Sequence, residues 1–148
     1  MKNEPRREIH FFDPHIKTTI WRIKNQGYRF GVFSRKDYSL LWDVLRAHSL
    51  WDLATYVGGA NEIPPKTIEQ QILEGAKDLG VKPSGISVVC ALADSIKQAR
   101  KAGAGYIIAV GYAGRSKVEE LEKAKPSGIA QSVEQQYHLL GLQNATER

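Results

Sequence analysis

Residues 86–110 read ISVVCALADSIKQARKAGAGYIIAV, and this stretch decides the fold class. Two apolar runs of five residues, 86–90 and 106–110, flank a segment with apolar residues at helical spacing that closes at Gly103. Continuous apolar runs of this length are typical of strands buried on both faces of a sheet. The stretch therefore predicts a strand, a helix and a second strand that joins the first as a parallel pair through a right-handed crossover.

The same alternation extends along most of the chain. Further strand-like runs occur at residues 9–12, 28–33 and 54–57. Helical patterns separate the runs or follow the last one, beginning at or near Asp13, Tyr38, Thr67, Asp94, Ser116 and Ser132. Asp94 is a predicted N-cap, and Ser116 has capping-box spacing with Glu119. This order predicts one three-layer Rossmann-like α/β domain over residues 9–142, with a mostly parallel sheet of about five strands, helices on both faces and no cap domain. Residues 1–8 and 143–148 are predicted tails.

Composition excludes several classes of protein. The 148 residues suffice for one core, and the apolar fraction of 42% is that of a globular protein. The sequence has no apolar stretch long enough to span a membrane and no secretory signal pattern, which predicts a cytoplasmic protein without a membrane partner. The single cysteine, Cys90, excludes an internal disulfide and is predicted to be an inert buried thiol.

Positive charge is concentrated near the N-terminus. The net charge is +5, yet residues 1–36 hold nine Lys and Arg against three acids. No long run of like charges occurs, so a solvated surface is the favoured interpretation. The pattern disfavours a nucleic-acid partner but leaves one open through the basic N-terminal third. The three tryptophans are predicted packing residues, whereas one exposed on a helix would instead indicate an interface with a protein partner or a second copy.

Several segments, in order, resemble the motifs of haloacid dehalogenase-like (HAD) phosphohydrolases. Residues 27–35, GYRFGVFSR, resemble the second motif, in which a strand ends at Ser or Thr. Pro65-Lys66 and the helix that ends at residues 79–80 resemble the third motif. Residues 86–89 and 96–104 are similar to the fourth strand and its helix, and residues 116–142 to the final helix–loop–helix. The pair Ser34-Arg35 is similar to the small, cap-less magnesium-dependent phosphatase branch.

The resemblance implies phosphoryl chemistry, of which this sequence keeps only part. It implies that Ser34 and Lys66 hold the oxygens of a phosphate-bearing ligand. It also implies a Mg²⁺-binding acid after the fourth strand, but that position falls on Ala91, and a second acidic position falls on Ser95. Alanine offers no oxygen ligand. Asp94 lies close by and is the candidate metal ligand.

The first motif leaves alternatives open. The family's nucleophile strand is the centre of its sheet, and a sheet cannot leave its middle unpaired without stranding buried backbone groups. Residues 9–12 fill that place, another chain fills it, or the strand order is rearranged. If residues 9–12 fill it, Asp13 stands at the nucleophile position and His15 at the acid/base position. The alternative, that Asp13 is the N-cap of the first helix next to Pro14, explains this residue fully and is the favoured interpretation.

Two functional hypotheses follow. The first is a HAD-like domain without a complete catalytic motif set, acting as a non-catalytic binding or protein-interaction module (a pseudo-phosphatase), with no cofactor. The second is a minimal Mg²⁺-dependent phosphatase that uses Asp13 as nucleophile. The missing acid after the fourth strand favours the first.

Overall fold

Five short parallel strands carry the architecture of the residues that the structure describes. The computed structural model describes residues 16–34, 43, 45–47, 56–58, 66–112 and 116–142. Within them, β1 (Gly31–Val32) pairs with β2 (Tyr56–Val57), and β3 (Ser87–Cys90), β4 (Tyr106–Val110) and β5 (Gly128–Ala130) form a second parallel group in the order β3-β4-β5. The mostly parallel sheet predicted from the sequence is confirmed.

The central strand β4 is buried on both faces, as its continuous apolar run predicts. Ile107, Ile108, Ala109 and Val110 are all at most 1% exposed, because neighbouring strands and helices cover both faces of β4. Its register pairs Val88 with Ile107 on one side and joins β4 to β5 on the other. The predicted strand at residues 106–110 is confirmed in full, and that at residues 86–90 begins one residue later.

The strand β1 is shorter than predicted, and residues 54–55 of the strand predicted at 54–57 lie outside the described residues. Only residues 31–32 of the apolar run 28–33 join the ladder. Tyr28 is exposed, and the Arg29 side chain donates to the carbonyl of Leu79. These two residues therefore belong to the connection between α1 and β1 and pair with no strand among the described residues. Among the described strands, no ladder joins β1 to β3. The predicted strand at residues 9–12 lies outside the described residues.

Among the described residues, five helices whose two ends are both defined accompany these strands. They are α1 (Ile16–Asn25), α2 (Ile68–Leu79), α3 (Ala93–Lys101), α4 (Val118–Lys123) and α5 (Val133–Leu140), and a 3₁₀ turn covers Pro83–Gly85. Residues 43 and 45–47 are also helical, and Leu45 is fully buried as predicted for the helix near residues 38–48. No helix among the residues that the structure describes is long and apolar enough to cross a membrane.

The observed N-caps of the helices differ from the sequence predictions at two positions. Thr67 forms a capping box with Gln70 at the start of α2, and Ser132 caps α5. The predicted N-cap Asp94 is wrong, because α3 begins at Ala93 after an N-cap at Leu92. The predicted capping box of Ser116 and Glu119 is wrong as well, because α4 has Lys117 as its N-cap and no side-chain cap.

The strand β5 was missed by the sequence analysis, which assigned residues 116–142 to a helix–loop–helix. Gly128 and Ala130 point to the face covered by α5, where Leu139 lies against Gly128. Ile129 points to the opposite face and packs on the main core. Helices therefore cover both faces of the sheet, as predicted.

The main core lies between the sheet and helices α2, α3 and α4. Its buried members come from all of these elements: Ile68, Ile72, Val88, Cys90, Ile96, Ala99, Ala102, Ile107, Ala109, Leu121 and Ala124. Phe33, directly after β1, packs against this cluster. The carboxyl end of β1 is therefore held on the same core as β3 and β4.

Helix α1 contacts α5, outside this core. Thr19 of α1 donates to the hydroxyl of Tyr137 of α5 at 3.1 Å. Trp21, also on α1, is 45% exposed, so it is not the packing residue that the sequence predicted, and an interface at this position stays a prediction.

Candidate functional site

The candidate site lies where β1 and β2 end. Because the two strands are parallel, their carboxyl ends lie at the same edge, where ligands bind in sheets of this type. Ser34 follows β1 by two residues, and Gly58 follows β2 directly. The Gly58 N–H donates to the carbonyl of Val32 at 2.8 Å, which extends the pairing of the two strands to this edge.

A buried glutamine of α2 fixes Ser34. Gln71 is fully buried, and its Oε1 accepts from the backbone N–H of Ser34 at 2.9 Å. Its Nε2 donates to the backbone carbonyl of Ser34 at 2.8 Å. The carboxamide thus satisfies both backbone groups of Ser34, as a neighbouring strand would. This pair of hydrogen bonds fixes the end of β1 against α2.

The same helix positions Lys66. Lys66 stands directly before Thr67, whose capping box fixes the start of α2. The Gln71 Nε2 also lies 3.5 Å from the carbonyl oxygen of Lys66, too far for more than a weak contact. Gln71 therefore stands between the backbones of Ser34 and Lys66, and the structure brings these two predicted phosphate-binding residues together.

The ammonium group of Lys66 is engaged by a carboxylate. Lys66 Nζ lies 2.8 Å from Oε1 of Glu74, and the side chains are 26% and 43% exposed. Tyr56 of β2 donates its hydroxyl to the same oxygen at 3.1 Å. The Lys66 hydrogen bond, with help from that of Tyr56, holds the pKa of Glu74 below its ordinary value despite an opposing effect of burial.

Two glycines make this arrangement possible. A Cβ added at Gly58 would lie 2.6 Å from the Tyr56 hydroxyl and 2.8 Å from Gln71 Oε1. A Cβ added at Gly75 would lie 3.2 Å from the Tyr56 ring. The ring of Tyr56 therefore lies directly against the backbone of α2, and this close approach places its hydroxyl beside Glu74.

The other predicted site residues lie apart from this cluster or outside the described residues. Asp94 is exposed, and its Oδ2 accepts from Nε2 of Gln98 at 2.7 Å. Oε1 of Gln98 accepts from the N–H of Glu69 at 3.0 Å, so Asp94 supports the junction between α3 and α2. Asp13 and His15 lie outside the described residues, and their roles stay predictions.

Cys90 takes no part in the site. It ends β3, is buried, and burial raises the pKa of its thiol to about 12. A thiol with this pKa is protonated at neutral pH and is a poor nucleophile. The predicted burial of this thiol is confirmed, and its lack of reactivity stays a prediction.

Solved structures of similar shape identify the fold. A predicted phosphatase from Clostridium acetobutylicum matches 87% of this chain with a TM-score of 0.77 and 22% identity. A HAD family hydrolase from Deinococcus radiodurans, crystallised with bound phosphate and sodium, matches 90% with a TM-score of 0.76 and 17% identity. A haloacid dehalogenase-like family hydrolase from Streptococcus pneumoniae matches 86% with a TM-score of 0.72 and 17% identity. The chain has the HAD-like fold.

The HAD-like match covers only part of those structures. The chain spans 60%, 62% and 59% of the three in the order given. No family model matches the sequence, and no curated protein matches it. At this level of identity, the likeness establishes the HAD-like fold and leaves the chemistry to the residues of the site.

Because the fold is HAD-like, we asked whether the site could bind a magnesium ion. The described residues do not form a suitable set of ligands for it. Ala91, directly after β3, is buried and offers no oxygen, and Ser95 is buried on α3. Asp94 is hydrogen-bonded to Gln98, and Glu74 is paired with Lys66. No three His, Cys, Asp or Glu side chains gather in the part of the chain that the structure describes. Mg²⁺ prefers carboxylate oxygens, and the two carboxylates named here each contact another side chain and belong to no metal-binding group among the described residues.

The sequence analysis missed three residues of the site: Tyr56, Gln71 and Glu74. A signal existed for Gln71, since its position lies within the buried stripe of α2 formed by Ile68, Ile72 and Gly75. A polar side chain in such a stripe requires hydrogen-bond partners inside the protein. Nothing in the sequence identified those partners as the backbone groups of Ser34.

Proposed function

We propose that this chain is a HAD-like domain that binds a phosphate-bearing ligand without hydrolysing it. The observation that supports this proposal most directly is the set of residue types that follow the described strands. None of the residues at the first or second position beyond the carboxyl ends of the five described strands is acidic, and these positions include Ser34, Gly58, Ala91, Gly111 and Gln131. In the part of the chain that the structure describes, the ends of the strands therefore offer groups that can hold an anion but no carboxylate in position to attack phosphorus or bind a metal.

The absence of a metal-binding acid at position 91 has a large energetic consequence. A carboxylate that attacks a phosphate ester brings two anions together. Two unit charges 4 Å apart interact with about 4 kcal/mol at an effective dielectric constant of 20. Without a metal to offset this repulsion, the barrier rises by that amount, which is roughly a thousandfold in rate. Lys66 offsets it only in part, because Glu74 already neutralises its charge.

Binding is supported by the residues that the fold brings together. Ser34 and Lys66, the two residues that match the phosphate-holding motifs, flank the buried carboxamide of Gln71. Their backbones are fixed before any ligand arrives, which lowers the entropic cost of binding. The paired charge of Lys66 makes the expected affinity for inorganic phosphate weak, with a Kd of about 1 mM or above.

A minimal phosphatase is the second candidate, favoured by the hydrolase and phosphatase names of the similar structures. It would use Asp13 as nucleophile, His15 as acid/base and Ser34 and Lys66 to hold the phosphate, with Asp94 helping a magnesium ion. This candidate needs Asp13 to lie within hydrogen-bonding reach of a phosphate held at Ser34.

Hydrolysis of an aryl phosphate in the presence of Mg²⁺ separates the two candidates. The wild-type protein is compared with Asp13→Asn and Ser34→Ala, and with Asp78→Asn as a control that removes an exposed acid elsewhere on α2. The proposal predicts that all four proteins release phenol at the rate of the buffer blank. A Mg²⁺-dependent rate that is lost in Asp13→Asn and kept in Asp78→Asn would establish the phosphatase instead.

A further inference from the structure

We infer that Glu74 is a built-in competitor for Lys66, which sets how tightly the site binds an anion. This inference rests on the proposed function, because it concerns the same lysine that the ligand would use. It goes beyond that function by assigning control of anion affinity to a residue that no motif indicated.

The geometry of the pair distinguishes it from an incidental surface contact. Lys66 precedes α2, whereas Glu74 lies in the second turn of the helix, eight residues further on. They are not i,i+3 or i,i+4 neighbours, which meet on any helix surface. Lys66 Nζ nevertheless comes within 2.8 Å of the carboxylate, so both side chains are directed toward the same point beside the sheet edge.

Tyr56 holds the carboxylate in that position. Its hydroxyl donates to the same Oε1 that Lys66 contacts, at 3.1 Å. The Tyr56 side chain is 9% exposed, and its ring lies against Gly75 on α2, so this donor has little freedom to move. A carboxylate that receives two hydrogen bonds is charged at neutral pH, in agreement with the lowered pKa of Glu74. Lys66 is therefore paired before a ligand arrives.

An anion that binds Lys66 must displace Glu74 or share the ammonium group with it. Sharing places a second negative charge next to the carboxylate, and displacement breaks the ion pair. Surface pairs of this exposure are worth at most about 1 kcal/mol, which corresponds to about a fivefold change in affinity. Replacing Glu74 by glutamine keeps an acceptor for Tyr56 and removes the competing charge. Affinity for a phosphate should then rise about fivefold.

The test is a titration with inorganic phosphate at constant ionic strength, followed through the backbone amide signals of residues 34 and 66 by NMR. Four proteins are compared: wild type, Glu74→Gln, Lys66→Ala and the control Asp78→Asn. Asp78 is exposed on the same helix, so its replacement changes the net charge equally without touching Lys66. We expect binding to be about fivefold tighter in Glu74→Gln, unchanged in Asp78→Asn and lost or strongly weakened in Lys66→Ala.

The alternative results separate the two claims. Equal affinity in wild type and Lys66→Ala overturns the proposed function and the inference with it. Weaker binding in Lys66→Ala together with unchanged binding in Glu74→Gln overturns the inference alone. Equal gains in Glu74→Gln and Asp78→Asn also overturn it, since general charge then explains the effect. No site-specific shift in any of the four proteins overturns both.

Discussion

Replacing Gln71 by leucine tests the best-defined feature of the site. Leucine has a similar volume, so the change removes the carboxamide without opening a large cavity. It leaves the N–H and the carbonyl of Ser34 without the bonds that now measure 2.9 and 2.8 Å. Each buried backbone group that loses its partner costs about 1–3 kcal/mol. Ser34 is half-buried, so water compensates in part, and we expect a loss of about 2–4 kcal/mol in the free energy of unfolding.

A matched control is available in Gln136, which is 1% exposed. Its Oε1 accepts from the hydroxyl of Tyr112, a half-buried side chain that can turn to water. Gln136→Leu should therefore cost about 1 kcal/mol. Urea denaturation of the two variants gives both values, and Gln71→Leu should also lose phosphate binding. The reasoning is refuted if Gln71→Leu is as stable as wild type, or costs no more than Gln136→Leu.

Three further predictions concern single residues. Gly105→Ala should cost at least about 3 kcal/mol in urea denaturation, because the added Cβ would lie 2.0 Å from the carbonyl oxygen of Ser84, a backbone atom that must move; wild-type stability would contradict this. The lowered pKa of Glu74 means that its pair with Lys66 stabilises the fold above the carboxyl's unfolded pKa and ceases to do so as pH falls through the folded pKa. Glu74→Gln should therefore be up to about 1 kcal/mol less stable than wild type at pH 7, and this difference should shrink as the pH falls into the acid range where the carboxyl is protonated; a difference that does not change with pH would argue against the pair as its source. Cys90 should react with a thiol reagent at neutral pH only after unfolding, because burial blocks access and raises its pKa to about 12, and rapid labelling of the native protein would show otherwise.

The sequence predicted the parts of the fold that local pattern determines. The strand at residues 106–110 was predicted in full because burial on both faces requires every residue to be apolar. The ends of β1 were not predictable in this way, since they depend on how many residues pair with β2. The three-residue strand β5 was missed because it is too short for a periodic signal and exists only through its pairing with β4.

The site was predicted in part, for a comparable reason. Ser34 and Lys66 are candidates from the sequence because they match the second and third motifs in order and spacing, and their phosphate-binding roles stay predictions. The contacts that fix them were not predicted, since the bonds between Gln71 and Ser34 join residues 37 positions apart. The pairing of Glu74 with both Lys66 and Tyr56 likewise depends on how α2 lies across β2. Such contacts are decided by tertiary packing, which a single sequence does not display.

Phosphorus NMR on one sample tests the central claim that the site binds a phosphate group and leaves it intact. An aryl phosphate is mixed with the protein and Mg²⁺, and its signal is followed over hours. The account predicts broadening or a shift of the ester signal that disappears in Lys66→Ala, with no growth of the inorganic phosphate signal above a protein-free sample. Growth of inorganic phosphate that depends on Asp13 would contradict the account, and so would an ester signal that the protein does not affect.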